Sequence, residues 1–237
     1  MKPSHDPIGQ AILDFVESKS STNIIVESDL CDDDVIATNY LFRTYEEMPE
    51  IERVALSKAS GKVLDIGACA GCHSNYLKSK NIDVTALDKS EGACSFLNSV
   101  NIKTVFSDIL SYNENKFETI LLLMNGLGLA ENLAKLPNFL SHLKSLLKPN
   151  GKIICDSSDI KYLYEDDEGA IWIDLNSSYY GEMKFNMKYK DSESGWFDWL
   201  YVDQETLSET CNSIGLECKI IFEGENHHYL AELKPQK

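Results

Sequence analysis

Positive charge is scarce in this chain of 237 residues: 22 Lys and Arg stand against 38 Asp and Glu, a formal charge of −16. A surface of that sign repels phosphate backbones and anionic lipid unless its basic residues gather in one place, and here they do not. Nucleic acid and membrane surfaces are set aside as partners, which leaves a small molecule or a cationic group. Long apolar runs are missing too. No stretch approaches the roughly 20 apolar residues of a membrane span, and no basic segment followed by an apolar one opens the chain. The expectation is a soluble, non-exported protein of the cytoplasm. The seven cysteines (Cys31, Cys69, Cys72, Cys94, Cys155, Cys211, Cys218) are odd in number and scattered, which suits reduced thiols and not a disulfide framework. Internal repeats and low-complexity segments are absent. No metal is expected: a zinc site on Cys69 and Cys72 lacks two further ligands at short spacing, and the spacing of Asn125, Asp156 and Asp159 requires no ion.

What is present is organised around Lys62 to Ser74, KVLDIGACAGCHS. A short apolar run, Val63, Leu64 and Ile66, carries Asp65 and stops at Gly67. A loop of small residues leads to Gly71, and Cys72 to Lys80 then reads as a helix. Strand, glycine-bearing bend and helix N-terminus together form a ligand cradle, because the bend lets backbone N–H groups approach where side chains would block.

Before this stretch, Ile8, Ala11, Ile12, Phe15 and Val16 fall on one face of a helix expected over Asp6–Lys19. A short strand is possible at Ile24–Val26, and Pro49 can start a second helix ending at Ser60-Gly61. Residues 1–60 are expected to form a helical cover over the site, and 61–237 the main domain. After the bend, strands at Asp83–Asp88, Lys103–Asp108, Phe117–Asn125 and Gly151–Asp156 alternate with helices at Ser90–Val100 and about Leu133–Leu147. That alternation predicts an α/β fold, a doubly wound and mostly parallel sheet. Tyr179–Lys190 and Trp196–Val202 alternate in polarity around a turn, so a β-hairpin is inserted at about 179–202. Asp203 can cap a further helix, and two antiparallel strands joined through Gly224-Glu225-Asn226 close the chain.

Three acidic residues stand at the ends of successive strands: Asp65, Asp88 and Asp108. In an open α/β sheet ligands bind outside those ends. Asp88 lies 17 positions after Gly71, near the offset of about 20 at which a carboxylate meets the two hydroxyls of a ribose. A nicotinamide or flavin dinucleotide is the first rival, but the loop Gly67-Ala68-Cys69-Ala70-Gly71 lacks the G-x-G-x-x-G spacing. Asp65 beside it would favour a cation over a pyrophosphate.

KVLDIGACAG resembles the first motif of class I S-adenosylmethionine-dependent methyltransferases. VTALD, SDI, LLLMNGLG and KPNGKIICD follow in the family's order over about Gly61–Ser158. The resemblance implies a Rossmann-like sheet of seven strands with an antiparallel last strand, and S-adenosylmethionine as cofactor. It also implies in-line methyl transfer to a small-molecule acceptor. It places Gly67, Ala68 and Gly71 along the methionine part of the cofactor, with Asp65 toward the ammonium. Asp88, followed by Lys89, falls at the ribose, Asp108 and Ile109 at the adenine, and Met124 and Asn125 beside the sulfonium. Cys69 replaces the family's middle glycine, so it must adopt an ordinary backbone angle or bear strain. For the acceptor pocket the expected residues are Tyr40, Arg43 as an anionic handle, and Tyr180. No residue stands out as a base. Two other readings stay open: an NAD-linked oxidoreductase on the same scaffold, and a non-catalytic S-adenosylmethionine-binding protein.

Overall fold

The computed structural model describes residues 5–18, 22–166, 168–173 and 178–236. In chain order the helices and strands begin with α1 (Pro7–Ser18), β1 (Asn23–Ser28), β2 (Asp34–Ala37) and α2 (Glu50–Lys58). The alternating section is β3 (Val63–Ile66), α3 (Cys72–Ser79), β4 (Val84–Asp88), α4 (Glu91–Ser99), β5 (Lys103–Phe106), β6 (Phe117–Leu122), α5 (Leu136–Ser145) and β7 (Leu147–Ser158). The last part is β8 (Glu182–Tyr189), β9 (Ser192–Glu193), β10 (Phe197–Leu200), α6 (Gln204–Ser213), β11 (Leu216–Glu223) and β12 (His228–Pro235).

Seven strands form the main sheet in the order β11-β12-β7-β6-β3-β4-β5. Strands β7, β6, β3, β4 and β5 run parallel, while β12 inserts antiparallel between β7 and β11. Every residue of β3 is buried, as a central parallel strand covered on both faces requires. Leu136, Leu140 and Leu143 of α5 pack into one core with Leu64, Ile120 and Ile153. Leu147, expected to close that helix, instead opens β7 and pairs with Phe117. Asp203 caps α6 by accepting from the Thr206 amide at 2.9 Å, as its place before the helix foretold.

The N-terminal cover is not purely helical. Strands β1 and β2 join the inserted hairpin in a second, antiparallel sheet ordered β10-β8-β1-β2, with β9 folded back on β8. Ile25 sits opposite Lys188 and Val26 opposite Met187. Two strands this short form no stable ribbon alone, and the edge that completes them comes from the far end of the sequence. Helix α1, observed to Ser18 with Lys19 outside the described residues, packs on α4. There the backbones of Gly9 and Gly92 meet so closely that a Cβ on Gly92 would stand 2.6 Å from Gly9. Asp6 fixes the contact by accepting from Ser90 Oγ at 2.9 Å and the Gly92 amide at 3.1 Å. Trp199 of β10 lies on Gly128, where a Cβ would come within 2.0 Å of the indole. Through these two contacts the second sheet and α1 are anchored over the carboxyl ends of β3, β4 and β6.

Candidate active site

The bend after β3 is built by two left-handed glycines, Gly67 at φ 70° and Gly71 at φ 75°. They have different reasons to be glycine. A Cβ on Gly71 would stand 2.4 Å from Leu97 Cδ2, so that residue lets α4 pack close. A Cβ on Gly67 would meet nothing within 4 Å, so the bend there opens on free space. Cys69 stands at φ 53°, the strained alternative of the two its sequence position allowed. Its side chain joins the apolar cluster of Ala11, Ile12 and Tyr189, which offsets part of the left-handed cost.

Asp88 braces the bend. Its Oδ2 accepts from the Cys69 amide at 2.8 Å and its Oδ1 from the Ser90 amide at 2.8 Å, which leaves each oxygen able to accept once more. Burial raises the Asp88 pKa, against the pull of the Ser90 and Cys69 amides. Asp65 is 2% exposed and accepts from Ser74 Oγ at 2.6 Å. Burial raises its pKa as well, opposed by the nearby charge of His73. A buried carboxylate in that position favours a cation that would hold it ionised.

At the end of β6 the chain turns through two consecutive left-handed residues, Met124 at φ 64° and Asn125 at φ 57°. Such a pair persists only where surroundings over-determine it. Here Asp156, at 1% exposure, accepts from the amides of Met124 (3.1 Å) and Gly126 (3.3 Å), and Ser158 Oγ donates to Asn125 Oδ1 at 3.1 Å.

Asp108 is exposed, and its Oδ1 accepts from the Leu110 amide at 2.8 Å, capping the turn Ile109–Ser111. Ile109 is buried in the main core; beside Asp108 the apolar side chains open to solvent are Leu110 and Phe106, at 54% and 63% exposure. Lys89 is exposed, its Nζ 6.0 Å from the centre of the Phe197 ring.

The three residues expected in the acceptor pocket fall in two places. Arg43 is buried and takes Glu52 in a bidentate grip at 2.8 Å, with its Nη2 3.5 Å from His73 Nε2 and 3.1 Å from Met124 Sδ. Tyr40 lies over the guanidinium at 4.3 Å. Arg43 is therefore spent within the protein, not held out as a handle. Burial lowers the His73 pKa, but Cys72 and Glu52 outweigh it and bring it up to about 10. The sequence offered no sign of this buried Arg43–Glu52–His73 group beyond a charged pattern in α2. Tyr180 lies elsewhere, its one hydroxyl proton shared between Asp159 (2.9 Å) and Asp203 (3.0 Å). Burial works to raise the Asp203 pKa, but bonds from Thr206, Tyr179 and Tyr180 hold it at about 2.

Two clefts open near these residues. One, of about 770 Å³, is bounded by Asp159, Tyr162, Asp203, Glu223 and His228 at the ends of β7 and β12. The other, of about 540 Å³, lies between the cover and α3, against Arg43, Tyr45, Cys72 and Tyr76. Among the described residues no group of three or more His, Cys, Asp or Glu is placed to hold a metal. No helix among them is long and apolar enough to cross a membrane.

A sheet of this order, with an open bend after its central strand and carboxylates at the next strand ends, defines the class I methyltransferase architecture. The chain belongs to the S-adenosylmethionine-dependent methyltransferases. A family model described as a methyltransferase domain matches residues 39–219. Similar over its whole length is an S-adenosylmethionine-dependent methyltransferase from Bacteroides fragilis, solved with S-adenosyl-L-homocysteine. It shares 37% identity over 100% of this chain and 98% of that one, with a TM-score of 0.93. More distant, and alike in fold alone, are two further structures. The CcbJ methyltransferase from Streptomyces caelestis shows 13% identity, covering 81% of this chain and 95% of that one, with a TM-score of 0.61. A methyltransferase from Clostridium acetobutylicum shows 16% identity, covering 78% and 87%, with a TM-score of 0.56. Comparison with curated proteins gives no match. The nicotinamide-linked alternative is not the family found.

Proposed function

We propose that this protein binds S-adenosylmethionine across the Gly67 bend and transfers its methyl group to a small molecule entering beside Met124 and Asn125. The observation that carries the assignment of residues is the pairing of free space at Gly67 with Asp88. Asp88 is locked to the same bend through the Cys69 amide yet has an acceptor position spare on each oxygen. Two adjacent ribose hydroxyls would take those positions, in charge-assisted bonds. Asp65, buried beneath the bend, would face the ammonium, and Asp108 the adenine amino group, with Leu110 and not Ile109 as the apolar neighbour of the ring. Arg43, Tyr40 and His73 would wall the methionine end.

When bound, the cofactor supplies an electrophilic methyl on a sulfonium. The protein's contribution is alignment. Met124 and Asn125, fixed by Asp156 and Ser158, set the position at which an acceptor must stand in line, and positioning of this kind supplies much of the rate.

Hydrogen-exchange mass spectrometry with S-adenosylhomocysteine tests the placement. Protection is expected at residues 65–74, 88–90, 108–110 and 123–126. Protection confined to the cleft at Asp159 and Glu223 would place the ligand elsewhere.

A further inference from the structure

Asp156 does more than hold the loop after β6. Its third bond runs to Nε2 of His228 at 2.9 Å. His228 begins β12 and sits opposite Ser158 of β7, so one buried carboxylate ties the Met124–Gly126 loop to an imidazole on the neighbouring strand. The His228 side chain is 26% exposed against 1% for Asp156, and the residue forms part of the wall of the 770 Å³ cleft. A carboxylate has no proton to donate, so the Nε2 that faces it carries the hydrogen, and Nδ1 is left as the basic nitrogen. An imidazole oriented by a buried partner and part-exposed in the wall of a cleft is the arrangement that general-base chemistry requires.

We propose that His228 is the general base of methyl transfer, held in its Nε2–H tautomer by Asp156. The acceptor is then a small molecule whose nucleophile, a hydroxyl or a neutral amine, carries a proton that must leave. This rests on the functional reading above. In the step, a lone pair of the acceptor oxygen or nitrogen forms the bond to the methyl carbon. The methyl–sulfur bond breaks with its pair going to sulfur, and the acceptor's proton passes to Nδ1 and from there to water. Atoms and charge balance without a further reactant. His228 is the catalytic residue; Asp156 is a positioning residue that acts on both the imidazole and the Met124 backbone.

The test uses the full chain with ¹⁵N-labelled histidine at pH 7.5, the His228 signal being the one that disappears in His228→Gln. The proposal requires a neutral ring with its proton on Nε2. A cationic ring, or a proton on Nδ1, overturns it whatever the acceptor turns out to be. In Asp156→Ala, which removes the acceptor that faces Nε2, the fixed preference for the Nε2–H tautomer is expected to be lost. His228→Gln is expected to bind S-adenosylhomocysteine within twofold of the wild type. Labelled-methyl transfer is measured over a panel of primary amines, phenols and alcohols. There the variant should lose roughly 10²- to 10⁴-fold in kcat with little change in acceptor KM. Unchanged kcat in His228→Gln overturns the assignment. Failure of the wild type to bind S-adenosylhomocysteine would instead remove the functional reading beneath it.

Discussion

Cys69 occupies a left-handed backbone position that a side chain tolerates at a cost of roughly 1–2 kcal/mol, and its sulfur packs against α1 and β8 in return. Cys69→Gly removes both effects and adds chain entropy to the unfolded state. Its melting free energy should stay within about 1 kcal/mol of the wild type. Cys69→Val, branched at Cβ where φ is 53°, should be clearly the less stable of the two by chemical denaturation. His73 makes a second prediction at this scale. Its pKa rises from 6.5 to about 10 on folding, so the folded protein holds the extra proton between those values. The stability it contributes is full below pH 6.5 and is lost as pH climbs toward 10. Melting temperature should fall across that window, and the fall should flatten in His73→Gln; an equal slope in both would mean the buried group with Glu52 is not formed. The places of Asp65 and Asp88 at the ends of β3 and β4 were legible because they are a matter of sequence spacing. The partner of Arg43 was not, because Glu52 lies nine residues away across a turn whose direction only the packing decides.

Among the elements, α1 depends on Gly9 and Gly92, which no sequence pattern singled out, and the hairpin on Gly128, whose packing role its place in LLLMNGLG did not announce. The backbone of Gly9 blocks any side chain at position 92, so Gly92→Ala must push α1 off α4. A loss of about 1–3 kcal/mol is expected, as for overpacking generally, measured by urea denaturation. Gly128→Ala would collide with Trp199. Trp172 and Trp196 are 73% and 56% exposed, so a red shift of tryptophan emission in this variant would report the hairpin lifting away; an unchanged spectrum would contradict the docking described. The parallel strands and α4 were readable from local periodicity, and α6 from periodicity together with its Asp203 cap. The pairing of β1 with β8 was not, since residues about 160 positions apart supply the two edges and neither strand encodes its partner. For β1 the error was one of neighbourhood, whereas β2 (Asp34–Ala37) was missed as a strand altogether.

For the molecule as a whole, a formal charge of −16 implies self-repulsion that dissolved salt screens within about a Debye length, ~10 Å at 0.1 M. Methyl transfer itself adds no demand for that charge. The main sheet, anchored by β3, fixes Asp65 and the bend on one strand and Asp88 on the next. The second sheet and α1 close over them from the N-terminal side. The central claim is that this bend and Asp88 grip the adenosyl group. Calorimetric titration with S-adenosylhomocysteine tests it most directly, using the wild type and Asp88→Ala with the fold checked by circular dichroism. The account predicts one site per chain in the wild type. In the variant it predicts a loss of affinity of about tenfold or more, as expected when bonds to a charged group worth roughly 1.5–3 kcal/mol are removed. Equal affinity in the two proteins, or no binding in the wild type, would contradict it.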